Sequence, residues 1–234
     1  MFNIEPHRYL TSIGGAWFLF ALLAVFSAGV VPSALTIPAA VFVMWITYWC
    51  VDCAYRTEQF SKYASLRLFT NLGVAPGFAF LMALVVTYKQ FKLGLGMSVL
   101  ISCMPLVVCA IVYSLLCVWR SPGRSLVVRS QRVEVVEPHQ ENRWALGAVG
   151  GGLGILTYPV FHAYRSPALL LVFLFMVIAL FMLFYHRTSI SSLRRLKDQE
   201  AREHQEYTFV NVEELRSRRA ASWIGRIFST KVDR

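Results

Sequence analysis

The sequence predicts an all-α membrane protein: six transmembrane helices, both termini in the cytoplasm, and a basic, partly helical cytoplasmic tail. Three observations predict it. The first is the run from Pro167 to Tyr185, PALLLVFLFMVIALFMLFY, which holds no charge and no glycine. At 1.5 Å per residue, about 19 helical residues cover the roughly 30 Å apolar slab of a bilayer. The second is composition. Of 234 residues, 56% are hydrophobic and only 15% charged, against about 25% charged in ordinary soluble domains. The apolar residues come in blocks and are not spread by helix or strand periodicity. The third is the placement of basic residues. Of the 23 Lys and Arg, all but Lys89, Lys92 and Arg165 fall in segments that six spans put on one side, as the positive-inside rule requires. Five spans would split the basic inner loop and the tail across the membrane.

Taken in order, the chain begins with a short, more polar stretch, residues 1–10, whose only Lys or Arg is Arg8. A first span is predicted over about 11–31. The small residues at Pro32–Ser33–Ala34 resemble a signal-peptide cleavage site, but the apolar core exceeds the roughly 7–15 residues of such peptides, so a retained helix is expected. Pro32–Ser33 leave room only for a tight reversal before the second span, about 35–54. Arg56, Glu58, Lys62 and Arg67 then read as a cytoplasmic loop. The third span, about 68–88, is interrupted by Gly73, Pro76 and Gly77, and Lys89 and Lys92 mark a short outer turn. The fourth, about 95–119, carries Pro105 in its middle. The fifth, about 144–162, is rich in glycine and forms a hairpin with the span 167–185 behind it. Residues 1–186 are thus the six-helix domain, 120–143 its long cytoplasmic loop, and 187–234 the tail.

Within the loop, 125–128 and 133–136 are rich in strand formers, and Tyr207–Val212 (YTFVNV) offers a third strand. An extended loop without such order is the preferred expectation. In the tail, Ser191–Gln205 reads as a charged helix. Asn211 and Glu214 resemble a capping box, and an amphipathic helix is predicted over about 213–229. Trp223, Ile224, Ile227 and Phe228 share one side of it, with Arg218, Arg219 and Arg226 opposite. That is the pattern of a helix lying in the membrane surface, or of one docked on a partner protein.

Gly147 and Gly151 form one G-x-x-x-G, Gly150 and Gly154 a second, and Gly73 and Gly77 repeat the spacing in the third span. In lipid, small residues four apart let helix backbones approach closely. They mark either a surface for oligomerisation and partner docking or packing between spans three and five. Asp52 is the only acidic residue inside an apolar block, a candidate intramembrane carboxylate on one face with Trp45, Tyr48 and Tyr55. The plainer expectation is an ion pair with Arg56 one turn on. Cys50 and Cys53 form a C-x-x-C, but no second Cys/His pair accompanies them and His162 stands alone, so no metal is expected. All five cysteines should be free packing thiols, since none lies in an outer loop where a disulfide framework would sit.

No Ser/His/Asp set or paired carboxylate shares a common depth, so no enzyme and no cofactor are expected. The net charge of +10 sits in loops and tail as an orientation signal and calls for no nucleic acid. By elimination the chain reads as a non-enzymatic interaction protein of a bacterial-type inner membrane. It would be an accessory or regulatory subunit of a secretion or conjugation machine, entry-exclusion and immunity roles included. Its partners would be membrane lipid, other membrane proteins and further copies of itself. The alternative is a small transporter or channel for a neutral solute, with Pro76 and Pro105 breaking helices at mid-depth.

Overall fold

The fold is that of a computed structural model, which describes residues 2, 6–119, 126–129, 131–136 and 167–222. The predicted fifth span, about 144–162, lies outside the described residues, as does the tail beyond Ser222.

The helices follow the apolar blocks. α1 (Tyr9–Val30) and α2 (Pro32–Val51) are separated by Val31 alone, and Pro32 opens α2, where its missing N–H costs nothing. α2 runs on through a π-helical turn, Asp52–Arg56. α3 (Phe60–Leu84) ends in a second such turn, Val85–Gln90, and α4 (Leu95–Val118) follows. α5 (Pro167–Tyr185) is the charge-free run itself. Among the described residues these five are long and apolar enough to cross a membrane. The protein is mostly helical, and its apolar helices suit a multi-pass membrane protein.

α3 is the hub, buried along its length and packed against α1, α4 and α5. α5 runs antiparallel to it. Phe175 stacks on Phe78 with ring centroids 5.3 Å apart, and beyond α5 Glu200 meets Gln59 just before α3. The outer faces of α2 and α4 leave large apolar side chains in the open, with Ile37 77% and Leu100 62% exposed. Water would penalise so broad an apolar surface, whereas lipid tails do not.

Only His186 separates α5 from α6 (Arg187–Glu203), whose buried face includes Ile190, Leu193, Leu196 and Glu200. β1 (Leu126–Arg129) and β2 (Arg132–Val135) pair antiparallel, Leu126 opposite Val135, and β3 (Thr208–Phe209) adds to β2 in parallel. α7 (Val212–Ala221) follows.

Several expectations are corrected. Lys62 and Arg67, expected in a loop, lie in the first turns of α3. Phe60, Tyr63, Ala64 and Leu68 recur there at helical spacing and are buried, with the Phe60 and Tyr63 rings each 5.6 Å from that of Phe209. Pro76 does not interrupt α3, nor Pro105 α4, because a packed bundle tolerates the lost backbone bond. The inner loop is not simply extended. Its valines pair into a hairpin with Gln131 at a φ of 61° in the turn, and the tail strand completes a three-stranded sheet. The predicted 213–229 helix does not run through. α7 stops at Ala221 and Ser222 is extended (φ −76°, ψ 135°), its N–H returning to the carbonyls of Arg218 and Arg219. Asn211 does precede the first turn, but its side chain makes no capping bond.

Candidate functional site at the helix–tail junction

A helix ends in carbonyls that none of its own N–H groups can reach. α2 has no basic residue in its last turn, and neither does α4. The π-helical turn after α2 widens the spiral. Thr57 N–H donates to Asp52 O at 2.9 Å, and the carbonyls of Cys53 and Thr57 are left for the tail.

Arg219 of α7 takes them. Its Nη2 donates to Thr57 O at 2.8 Å, to Cys53 O at 3.2 Å and to Tyr9 Oη at 3.1 Å. Tyr9 Oη itself donates to Cys53 O at 2.5 Å. The guanidinium carbon lies 5.7 Å from the centre of the Tyr9 ring, within cation–π range. Arg219 is only 6% exposed. It forms no ion pair among the described residues, and its Nε has no acceptor. Its charge is balanced by the carbonyl end of a helix, which carries about half a negative charge. Arg194 of α6 repeats the device on α4, its Nη1 donating to Cys117 O at 2.7 Å. Two tail arginines therefore cap two membrane helices.

Polar bonds lock the rim. Arg216 grips Glu58 bidentately, Nε to Oε1 at 2.7 Å and Nη2 to Oε2 at 2.6 Å, and this holds the Glu58 carboxyl below its usual range. Gln59 Nε2 donates to Glu200 Oε2 at 3.2 Å, and Glu200 Oε1 accepts from Tyr207 N–H at 3.3 Å. Phe60 N–H donates to Tyr207 O at 2.9 Å, and Thr208 N–H to Gln131 O at 3.0 Å. The Tyr207 hydroxyl donates to Glu203 at 2.5 Å. Burial and then that carboxylate push the Tyr207 phenol up to about 12. Beneath the sheet, Phe2, Phe60, Val133, Phe209 and Leu215 line a small cleft of about 180 Å³.

The predicted site residues fare differently. A Cβ on Gly73 would lie 3.2 Å from Phe20 Cζ, and one on Gly77 3.2 Å from Leu23 Cδ1. This groove is filled by α1 of the same chain. Gly147, Gly150, Gly151 and Gly154 lie outside the described residues, together with His162, Trp223, Ile224, Arg226, Ile227 and Phe228. Arg218 stands exposed beside Glu214 at 3.4 Å. Arg219, expected on the same polar side, is turned inward. Asp52 is half-buried and makes no ion pair with Arg56 among the described residues, because in a π-helical turn the residue five on takes the stacked place. Trp45 and Tyr48, which share its face, are 48% and 64% exposed. Trp45 also packs edge-on against Phe69 of α3, with ring centroids 5.6 Å apart. All five cysteines are free, with Cys50 and Cys53 buried.

Tyr9, Glu58, Arg194 and Arg216 escaped the sequence reading. One signal was available for Arg219. A helical wheel begun at Val212 puts Val212, Leu215 and Arg219 on one face, and these three are the buried residues of α7. Arg216 offers no such signal, since Glu58 is 158 residues away. Among the described residues no cluster of His, Cys, Asp and Glu is arranged to hold a metal. What the junction does chemically is hold the sheet and tail helices on the ends of the long apolar helices. No family model, curated protein or solved structure matches the chain.

Proposed function

We propose that the protein is a non-enzymatic interaction protein of a bacterial-type inner (plasma) membrane. It serves as an accessory or regulatory subunit of a membrane machine of the secretion or conjugation kind, entry-exclusion and immunity roles included. The observation that carries this reading is the junction, in which arginines hold the sheet and tail helices against the ends of α2 and α4. A soluble unit fixed in this way moves with the helices and presents its outer surface, with Glu134, Val136 and Val210 exposed, to a partner. Partners on this reading are other membrane proteins, further copies of the chain and the surrounding lipid.

The topology that goes with it has six spans and both termini in the cytoplasm. Tyr9 meets Arg219, and Arg132 Nη1 donates to Val210 O at 3.2 Å. Start, hairpin and tail therefore share one end of the bundle, while α5 begins at the other. A span over about 144–162 would carry the chain between them. The basic residues gathered at the shared end support a cytoplasmic location for it. Reporter fusions after Arg143 and after Arg234 are expected to report cytoplasm, and one at Arg165 the outside. Opposite sides for the first two would remove the six-span topology.

A flux assay tests the functional reading. α3 and α4 pass through Pro76 and Pro105 unbroken, so neither of these two helices offers unwound backbone at mid-depth to bind a solute. Liposomes holding the purified protein are expected to pass neutral solutes no faster than empty ones. Faster passage would make it a transporter or channel and end the accessory-subunit reading.

A further inference from the structure

Arg67 is the last charged residue before the apolar run of α3, about 68–88. It therefore marks the depth at which lipid phosphates lie on the tail side of a bilayer. A guanidinium has five N–H donors, and among the described residues this one makes a single hydrogen bond, from Nη1 to Ser12 Oγ on α1. Its Nε is buried without an acceptor, and it forms no ion pair among the described residues. Arg67 and Ser12 are both half-buried, and their bond bridges α1 and α3. One turn along α1 from Ser12, Gly15 is exposed, and a Cβ there would meet nothing within 4 Å. Ser12, Gly15 and Ala16 thus form an open floor of small residues on one face of α1, at i, i+3 and i+4. Buried Tyr63 lies one turn before Arg67, its hydroxyl beside Ser12.

A cation at the edge of the hydrocarbon is costly unless it finds acceptors. The acceptor abundant at that depth is phosphate, and its oxygens match the guanidinium fork two at a time. We propose that Arg67, Ser12 and the floor at Gly15 form a binding site for the headgroup phosphate of one anionic phospholipid, seated between α1 and α3. Arg67 takes the phosphate oxygens with its remaining Nη hydrogens, Ser12 holds the guanidinium in place, and Gly15 leaves room for the glycerol. The unpaired positive charge selects an anionic lipid over a zwitterionic one. The site requires only that these helices lie in a bilayer, and it stands whichever machine the protein serves.

Lipid retention tests it. Full-length protein in mixed micelles of detergent and phosphatidylglycerol, observed by native mass spectrometry, is expected to keep one lipid more tightly than the rest. Arg67→Gln is expected to weaken that binding about tenfold, the loss of a charge-assisted contact. Gly15→Leu keeps the arginine, adds a Cβ that meets nothing within 4 Å, and is expected to weaken it as much by filling the floor. It also covers the case in which Arg67→Gln does not fold. Arg129→Gln, on the exposed hairpin, is expected to leave retention unchanged. Full retention in folded Arg67→Gln or in Gly15→Leu overturns the site, and an equal loss in Arg129→Gln reduces it to general charge attraction. If inorganic phosphate alone displaces the lipid and binds as well, the lipid assignment is overturned in favour of a free anion.

Discussion

Arg219→Ala is expected to free α7 from the membrane helices and to cost about 2–4 kcal/mol of tail docking. Three acceptors lose their donor at once, and a hydrogen bond to a charged group contributes about 1.5–3 kcal/mol. Cys53 O keeps the Tyr9 hydroxyl, but Thr57 O is left without a side-chain partner at a buried residue. Against this, the mutation relieves the desolvation of a guanidinium that makes no direct ion pair among the described residues, so the net loss falls well below the sum of the three bonds. Lysine is expected to recover only part of it. All three bonds come from one nitrogen, Nη2, which an ammonium with three donors would imitate. However, the lysine chain ends one bond short and offers no flat face to Tyr9. Hydrogen exchange at the amides of Val212–Ala221, together with protease cutting of the tail in detergent, measures the effect. Unchanged protection in Arg219→Ala would show that the tail is held by something other than this cap.

Gly73→Leu is expected to destabilise the bundle by about 3 kcal/mol, the upper end for an overpacked core. Even a single Cβ would lie 3.2 Å from Phe20 Cζ, and Phe20 cannot easily yield. It is 4% exposed, stacked on Phe69 at 5.3 Å, and 6.1 Å from the Phe42 ring. A leucine must therefore push α1 away from α3. Gly73→Ala is expected to be nearly neutral, since a helix-propensity gain of about 1 kcal/mol offsets the close contact. Gly14 and Gly29 have nothing within 4 Å of an added Cβ, so leucine at either is expected to cost nothing. Thermal unfolding and size-exclusion in detergent distinguish the possibilities. Because the groove is filled from within the chain, the melting temperature should fall while the size stays constant. A smaller species at an unchanged melting temperature would move the contact to an interface between copies.

The membrane helices were legible because crossing a bilayer is a local, additive property. Transfer of each residue into hydrocarbon depends on that residue, and the slab has a fixed thickness, so α5 can be read as a 19-residue run without knowing its neighbours. The basic stretches between blocks, the strand-forming valines of the loop and the helix start near Asn211 were visible for the same reason. The start of α3 was not visible. Phe60 to Arg67 looks too polar to belong to a span, and it is helical because Phe60 and Tyr63 pack against Phe209 in the tail. The partner of Gly73 was equally hidden, since a G-x-x-x-G states that a backbone or side chain approaches but not which one. Arg219 is the clearest case. As a sequence feature it is a cation on a surface helix. Its burial depends on carbonyls freed by a π-helical turn 162 and 166 residues earlier, and on a tyrosine 210 residues away. Hydrogen bonds at such separations exist only once helix ends meet in space. The sequence alone determined which segments prefer lipid, and only the tertiary structure decided which charges could be buried there.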